Sequence, residues 1–158
     1  MFDSPERLAR DIGELLSLIR GLAEGRYACL TEPGGLVFED PPSEESGNGG
    51  LRRFIDARTA DLFKIPPALA AGEPLEDIFD GWDTDDFVLA FLNGRVVLVV
   101  ACPDGESLRA RIDDPLRALA DRLLRWKATY RLDPHGRGLF FSTPKLDVVV
   151  VSRETDRA

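Results

Sequence analysis

Five aspartates crowd one short span of the chain: Asp77, Asp80, Asp83, Asp85 and Asp86. Carboxylate oxygens at that density can ligate calcium. An EF-hand, however, needs acids at alternate positions, a central glycine and a later glutamate, and this spacing does not supply them. The span reads as a solvated turn whose charge discourages sheet edges from pairing. Trp82, in the middle of it, either folds onto the core or turns outward as a contact residue. Gly47, Gly49 and Gly50 precede a helix, where free amides can hold a phosphate. No P-loop lysine or hydroxyl follows them, and Glu44-Glu45 would repel an anion, so nucleotide binding is disfavoured. His135, the single histidine, lies in a Pro-Gly turn with no nucleophile elbow beside it and reads as a surface side chain. Cys29 and Cys102 lie inside apolar strand-like runs and read as reduced core thiols rather than a redox pair. None of these groups forms a bond-making constellation. The expectation is a chain that is not an enzyme and carries no cofactor and no metal.

The remaining chemistry is that of contact. Arg52, Arg53 and Arg58 are basic residues on one helix of a protein whose formal net charge is −8. They can pair with acids on a partner or with their own neighbours Asp56 and Asp61. The overall charge opposes unaided binding to nucleic acid or anionic lipid, because phosphate contacts need a basic face. The 158 residues suggest one domain large enough for a real core. No run approaches the roughly 20 apolar residues that span a bilayer. The acidic, polar N-terminus lacks the pattern of a secretory signal, and with two isolated thiols a cytoplasmic location is expected.

The elements that must position these residues are marked by turns and caps. Ser4-Pro5-Glu6 starts a helix with a capping hydroxyl, a proline in its first turn and an acid at the positive end of the dipole. Leu8, Ile12, Leu15, Leu16, Ile19 and Leu22 form its stripe, and Gly25 ends it. Tyr27 to Thr31 and Leu36 to Glu39 make a hairpin closed by Glu32-Pro33-Gly34-Gly35, where Pro-Gly fits a type II turn. Asp40 to Gly50 has no core residue and reads as a mobile surface loop. Leu51 to about Phe63 is a second helix, stopped by Pro66-Pro67. A short segment, Ala68 to Pro74, leads to an edge strand from Leu75 to Phe79.

Phe87 to Leu92 and Val96 to Cys102 flank Asn93-Gly94, the strongest short hairpin signal in the chain. Neither strand alternates, so both of its faces must be covered. Asp113-Asp114-Pro115 caps a third helix whose stripe runs Leu116, Leu119, Ala120, Leu123, Lys127 and Tyr130, with Leu124 and Trp126 beside it. Beyond Asp133, Leu139 to Ser142 and Leu146 to Ser152 form either another hairpin or one strand reaching to a second subunit. The predicted architecture is of the α/β class: a three-layer α-β-α sandwich around an antiparallel five-stranded sheet. Residues 1–132 form the domain and 133–158 a strand-forming C-terminal extension.

That element order, with "RYACLTEPGGLVFED" and "FVLAFLNGRVVLVVACPDGESLRARIDDPLRALADRLLRW", resembles the Roadblock/LC7 family, whose fold is profilin-like. The nearest likeness is to bacterial members that act on small Ras-like GTPases in cell polarity. The resemblance covers about residues 8 to 130 and lies in hydrophobic pattern and turns. It implies a homodimer formed through the second helix and the edge strand after it, and a small GTPase as partner, activated or scaffolded without an arginine finger. The matching surfaces are Leu51 to Phe63 and Leu75 to Phe79. The implied interface residues are Arg52, Arg53, Phe54, Asp56, Ala57, Thr59, Ala60 and Phe63 on the helix, then Leu75, Asp77, Phe79 and Trp82. The family's second helix is rich in alanine and glycine, whereas this one is bulkier. Two other classes fit a small acidic protein: a type III secretion chaperone with exposed apolar grooves, and a sensor domain enclosing a small ligand as GAF-like folds do.

Overall fold

The structure is a computed structural model, and it describes residues 4–74, 85–92, 95–131 and 146–151. Helix α1 spans Pro5–Ala23, and the Ser4 hydroxyl caps it by accepting the Arg7 N–H at 3.1 Å. Strands β1 (Tyr27–Glu32) and β2 (Gly35–Asp40) follow as a hairpin. Three helices come next: a single turn α2 (Ser43–Ser46), then α3 (Gly49–Leu62) and α4 (Ile65–Ala71). Strands β3 (Asp86–Leu92) and β4 (Val96–Cys102) precede a short α5 (Gly105–Arg109), the long α6 (Asp113–Arg131) and β5 (Leu146–Val151).

The five strands form one antiparallel sheet in the order β2-β1-β4-β3-β5. The missing alternation of β3 and β4 has a direct cause. Val88, Ala90 and Leu92 with Leu98 and Val100 meet Ile12, Leu16 and Ile19 of α1 and Leu116 and Leu119 of α6. Phe87, Leu89 and Phe91 with Val97 and Val99 meet Leu51, Ile55 and Leu62 of α3 and Ile65 of α4. Successive side chains in a strand point to opposite faces, so two helical layers make every position a core position. Each large side chain buried this way contributes about 1.5–3 kcal/mol, which is why the central strands hold no polar residue after Asp86.

Several local expectations are corrected. The β1–β2 turn is not type II, because its positive φ falls on Gly35 (133°) and not on Gly34. Val37 is bulged out, since Leu30 pairs with Phe38 while Thr31 pairs with Leu36. The left-handed residue that closes α1 is Glu24 (φ 51°), one position before the expected Gly25. The stretch from Asp40 to Gly50 is not a coreless loop: it carries α2, and Ser43 and Asn48 are buried. Pro66-Pro67 does not stop a helix but opens one, because a proline in a first turn lacks only an N–H that has no helical partner there. The C-terminal strand pairs within its own chain, along the whole of β3 apart from Asp86. The expected strand Leu75 to Phe79 lies outside the described residues.

Candidate protein-interaction surface

Helix α3 turns Leu51, Ile55, Thr59 and Leu62 onto the sheet, the i, i+4, i+8 and i+11 positions of one stripe. The bulky residues of this helix then go sideways. Phe63 is half-buried and packs edge-to-face on Phe91 with ring centroids 6.2 Å apart. Arg58 folds back over the Phe54 ring at 3.6 Å and donates to the Phe54 carbonyl at 3.1 Å. Arg52 leans towards β2. What remains outward is Arg53, Asp56, Ala57, Ala60 and Asp61, all exposed. Of the expected interface residues on the helix, Arg53, Asp56, Ala57 and Ala60 therefore face solvent. Arg52, Phe54 and Phe63 are half-buried, and Thr59 is buried with its hydroxyl donating to the Ile55 carbonyl at 3.1 Å. Leu75, Asp77, Phe79 and Trp82 lie outside the described residues, as do His135, Asp80 and Asp83.

The flank of α3 holds a polar cluster that reading along the sequence does not reveal. The Tyr27 hydroxyl donates to Glu39 Oε1 at 2.7 Å, and the Ser43 hydroxyl donates to Oε2 at 3.3 Å. Arg52 completes it, with Nη1 at 3.5 Å from Glu39 Oε2 and 3.3 Å from Ser43 Oγ, and Nε at 3.7 Å from Asp56. Burial pushes the Glu39 carboxyl up, but the Tyr27 and Ser43 hydrogen bonds and the Arg52 charge outweigh it, and the net result lies below the usual value. Burial, then Cys29 and the bond to Glu39, hold the Tyr27 phenol well above its usual range. Burial and the nearby Asp56 do the same for the Cys29 thiol. Glu39, accepting from the Tyr27 and Ser43 hydroxyls and paired with Arg52, fastens α2 and α3 to β2. The two cysteines face opposite helical layers, Cys29 towards α3 and Cys102 towards α1 and α6, and both are free.

The described members of the aspartate span have structural partners. Asp85 takes Arg26 through two bonds of 2.7 and 3.3 Å. Asp86 is buried and accepts the Gly105 N–H at 2.9 Å, while burial and this carboxylate push the Cys102 thiol up to about 11. Among the described residues no group of histidine, cysteine and acidic side chains could hold a metal ion, and no helix is long and apolar enough to cross a membrane. Near α3, Gly47 closes α2 with a positive φ of 80°, and Asn48 spends its amide on the Arg26 carbonyl and the Ser46 hydroxyl.

No family model, curated protein or solved structure matches the chain.

The sequence signal for the cluster was the acid in β2. Glu39 lies directly across from Cys29 on the side of the sheet that α3 covers, a position otherwise given to apolar residues. Substituting Glu39 by alanine is expected to cost about 1–3 kcal/mol, because the Tyr27 hydroxyl loses its acceptor and Arg52 one of its two acidic partners. The sign with pH follows from the lowered carboxyl. Stability from this group is present above the carboxyl value of the unfolded chain and is lost as pH falls through the lower folded value. Denaturant unfolding at pH 7 and at decreasing pH checks both: the gap between wild type and Glu39→Ala should narrow on acidification.

Proposed function

We propose that the chain is a non-enzymatic, homodimeric regulator or scaffold of a bacterial small Ras-like GTPase, acting in the cytoplasm. A dimer surface that binds the GTP form better than the GDP form shifts the loops around the nucleotide by that difference in affinity. The reading draws on the Roadblock/LC7 resemblance, and the observation that carries it is the outward stripe of α3. Arg53, Ala57 and Asp61 are each one turn apart and all exposed. An antiparallel copy of the helix, related by a two-fold axis beside Ala57, would set each Arg53 against the other copy's Asp61. The small residues Ala57 and Ala60 allow close approach at the centre. A chaperone groove finds less support: the large apolar side chains exposed among the described residues, Leu18 and Leu69, belong to helices on opposite faces of the sheet.

Two measurements test this reading. Reversing Arg53 to Asp removes two symmetry-related attractions and creates two repulsions, which should weaken the dimer about tenfold, and adding Asp61→Arg should restore it. Sedimentation over a range of concentrations reads both. For the partner, immobilised wild-type dimer is exposed to lysate of the source organism loaded with a non-hydrolysable GTP analogue or with GDP. Recovery of a small GTPase at least about tenfold better with the analogue, a difference of about 1.4 kcal/mol, supports the role. Equal recovery in the two states defeats it.

A further inference from the structure

We infer that the outer edge of β5 is a docking site for an extended segment of another protein, which joins the sheet beyond β5 and sets a lysine or arginine against Asp147. The inference goes beyond the GTPase reading and does not depend on it.

The two edges of the described sheet are β2 and β5, and they are built differently. Strand β2 is blunted in the way natural edges are: Val37 bulges out, and Glu39 and Asp40 carry charge, each already engaged by an arginine at 3.5 and 2.6 Å. Strand β5 runs in unbroken register with β3 over its whole length, with neither bulge nor proline. Five of its six residues are half-exposed, whereas β3 and β4 are buried throughout. An edge of this kind is open to another strand.

The side chains of β5 select the occupant. Leu146, Val148 and Val150 lie on the α1 and α6 side, and Val149 and Val151 on the α3 side. A strand laid beside them continues both faces, so it is apolar on both, unlike most strands. Asp147 is the exception in β5. It is half-exposed, it shares the α3 side with Val149, and among the described residues no hydrogen bond or ion pair engages its carboxylate. Opposite charges facing each other across an antiparallel pair stabilise it, and like charges oppose it. An acid without a partner on an apolar edge therefore favours a base. A second β5 does not supply one. Two-fold pairing centred on Asp147 opposes two carboxylates, and centring on Val148 or Val149 sets each carboxylate against a valine. A strand with a basic residue at this one position avoids both, and the formal net charge of −8 attracts it.

The strand is also firmly held. A Cβ on Gly105 would lie 2.7 Å from Val150 Cγ1, so α5 is seated directly on β5, and the Gly105 N–H is fixed by Asp86. A strand presented in this way needs no ordering before it pairs, so the entropy lost on docking falls on the incoming segment alone.

The test titrates the full chain into a trace of a fluorophore-labelled synthetic peptide, Val-Val-Ile-Val-Lys-Val with a polar tail. Fluorescence anisotropy is read at about 0.15 M salt, where distant charges are screened. In antiparallel register this peptide places its lysine opposite Asp147. Saturable binding is expected, about tenfold tighter than for the same peptide with glutamate in place of lysine. Methylating the backbone nitrogens of the peptide removes its ladder donors and should abolish binding. Asp147→Lys should reverse the preference, and the milder Asp147→Asn should reduce it to about twofold. Thermal melts confirm that both variants fold. Val37→Lys, on the β2 edge, should leave binding unchanged. A wild type that does not bind the lysine peptide, or a preference that survives Asp147→Asn, overturns the inference. Binding that fades as the chain is concentrated gives the edge to a second copy and overturns it too. Arg53→Asp, which tests the dimer, should leave peptide binding intact, so the two readings fail separately.

Discussion

Replacing Phe91 with alanine is expected to lower the unfolding free energy by about 3–5 kcal/mol. Phe91 is 0% exposed, in the middle of a sheet whose other strands hold it by Val97 on one side and Asp147 on the other. Its ring meets Phe63 edge-to-face, and Phe63 follows directly on α3. Removing it deletes buried apolar surface and also leaves a cavity where α3 is seated on the sheet. Little can collapse into that space, because Leu89 and Val99 are already packed in the same layer. Leu69→Ala is the control: that side chain is 43% exposed, and its loss should stay within about 0.5 kcal/mol. The midpoint of urea unfolding reads the difference, and equal midpoints for the two variants would refute the role given to this layer. Because α3 carries the proposed contact stripe, Phe91→Ala should also weaken the dimer at temperatures where the monomer remains folded.

How much of this was legible in the sequence depended on the range of the information. The covering of β3 and β4 on both faces could be read from the apolar run itself, since an antiparallel strand without alternation has no other stable setting. The position of α1 followed from Ser4 and Pro5, whose effect is local. Short helices were not legible. With five residues, α5 offers no period to detect, and Asp104, which caps it by accepting the Ser107 N–H at 3.1 Å, looks like any turn residue. In α4 the proline pair carries both meanings, stop and start, and only the tertiary seat of Ile65 and Ala68 decides. The cluster around Glu39 needed the β1–β2 register, which the Val37 bulge shifts by one residue. The place of β5 beside β3 needed a pairing across more than 50 positions, and hydrophobic pattern carries no such address. On α3 the composition suggested bulk at the contact face, but the direction of each side chain changed that: Arg52, Phe54, Arg58 and Phe63 lie along the flanks, and Arg53 is left outermost with the alanines.

The connection after α1 gives a sharper test of how backbone geometry constrains this chain. Gly25→Ala is expected to destabilise by about 2–3 kcal/mol, although its φ is not one that demands glycine. The cost is steric. A Cβ there would lie 2.6 Å from the Ala101 carbonyl oxygen, which is backbone and already accepts the Arg26 N–H at 3.2 Å. Relief requires β1 to draw away from β4 at the Tyr27–Ala101 pair, loosening a hydrogen bond at the point where the sheet begins. The neighbouring positions should behave in the opposite way. Gly21 lies inside α1 with open space where a Cβ would go, so Gly21→Ala should stabilise by about 0.5–1 kcal/mol through helix propensity. Glu24 holds the left-handed conformation at φ 51°, so Glu24→Gly should stabilise as well. Three thermal melts, with one shift downward and two upward, would establish that close approach to β4 fixes Gly25. If Gly25→Ala melted at or above the wild-type temperature, the contact with Ala101 could not be the constraint on this turn.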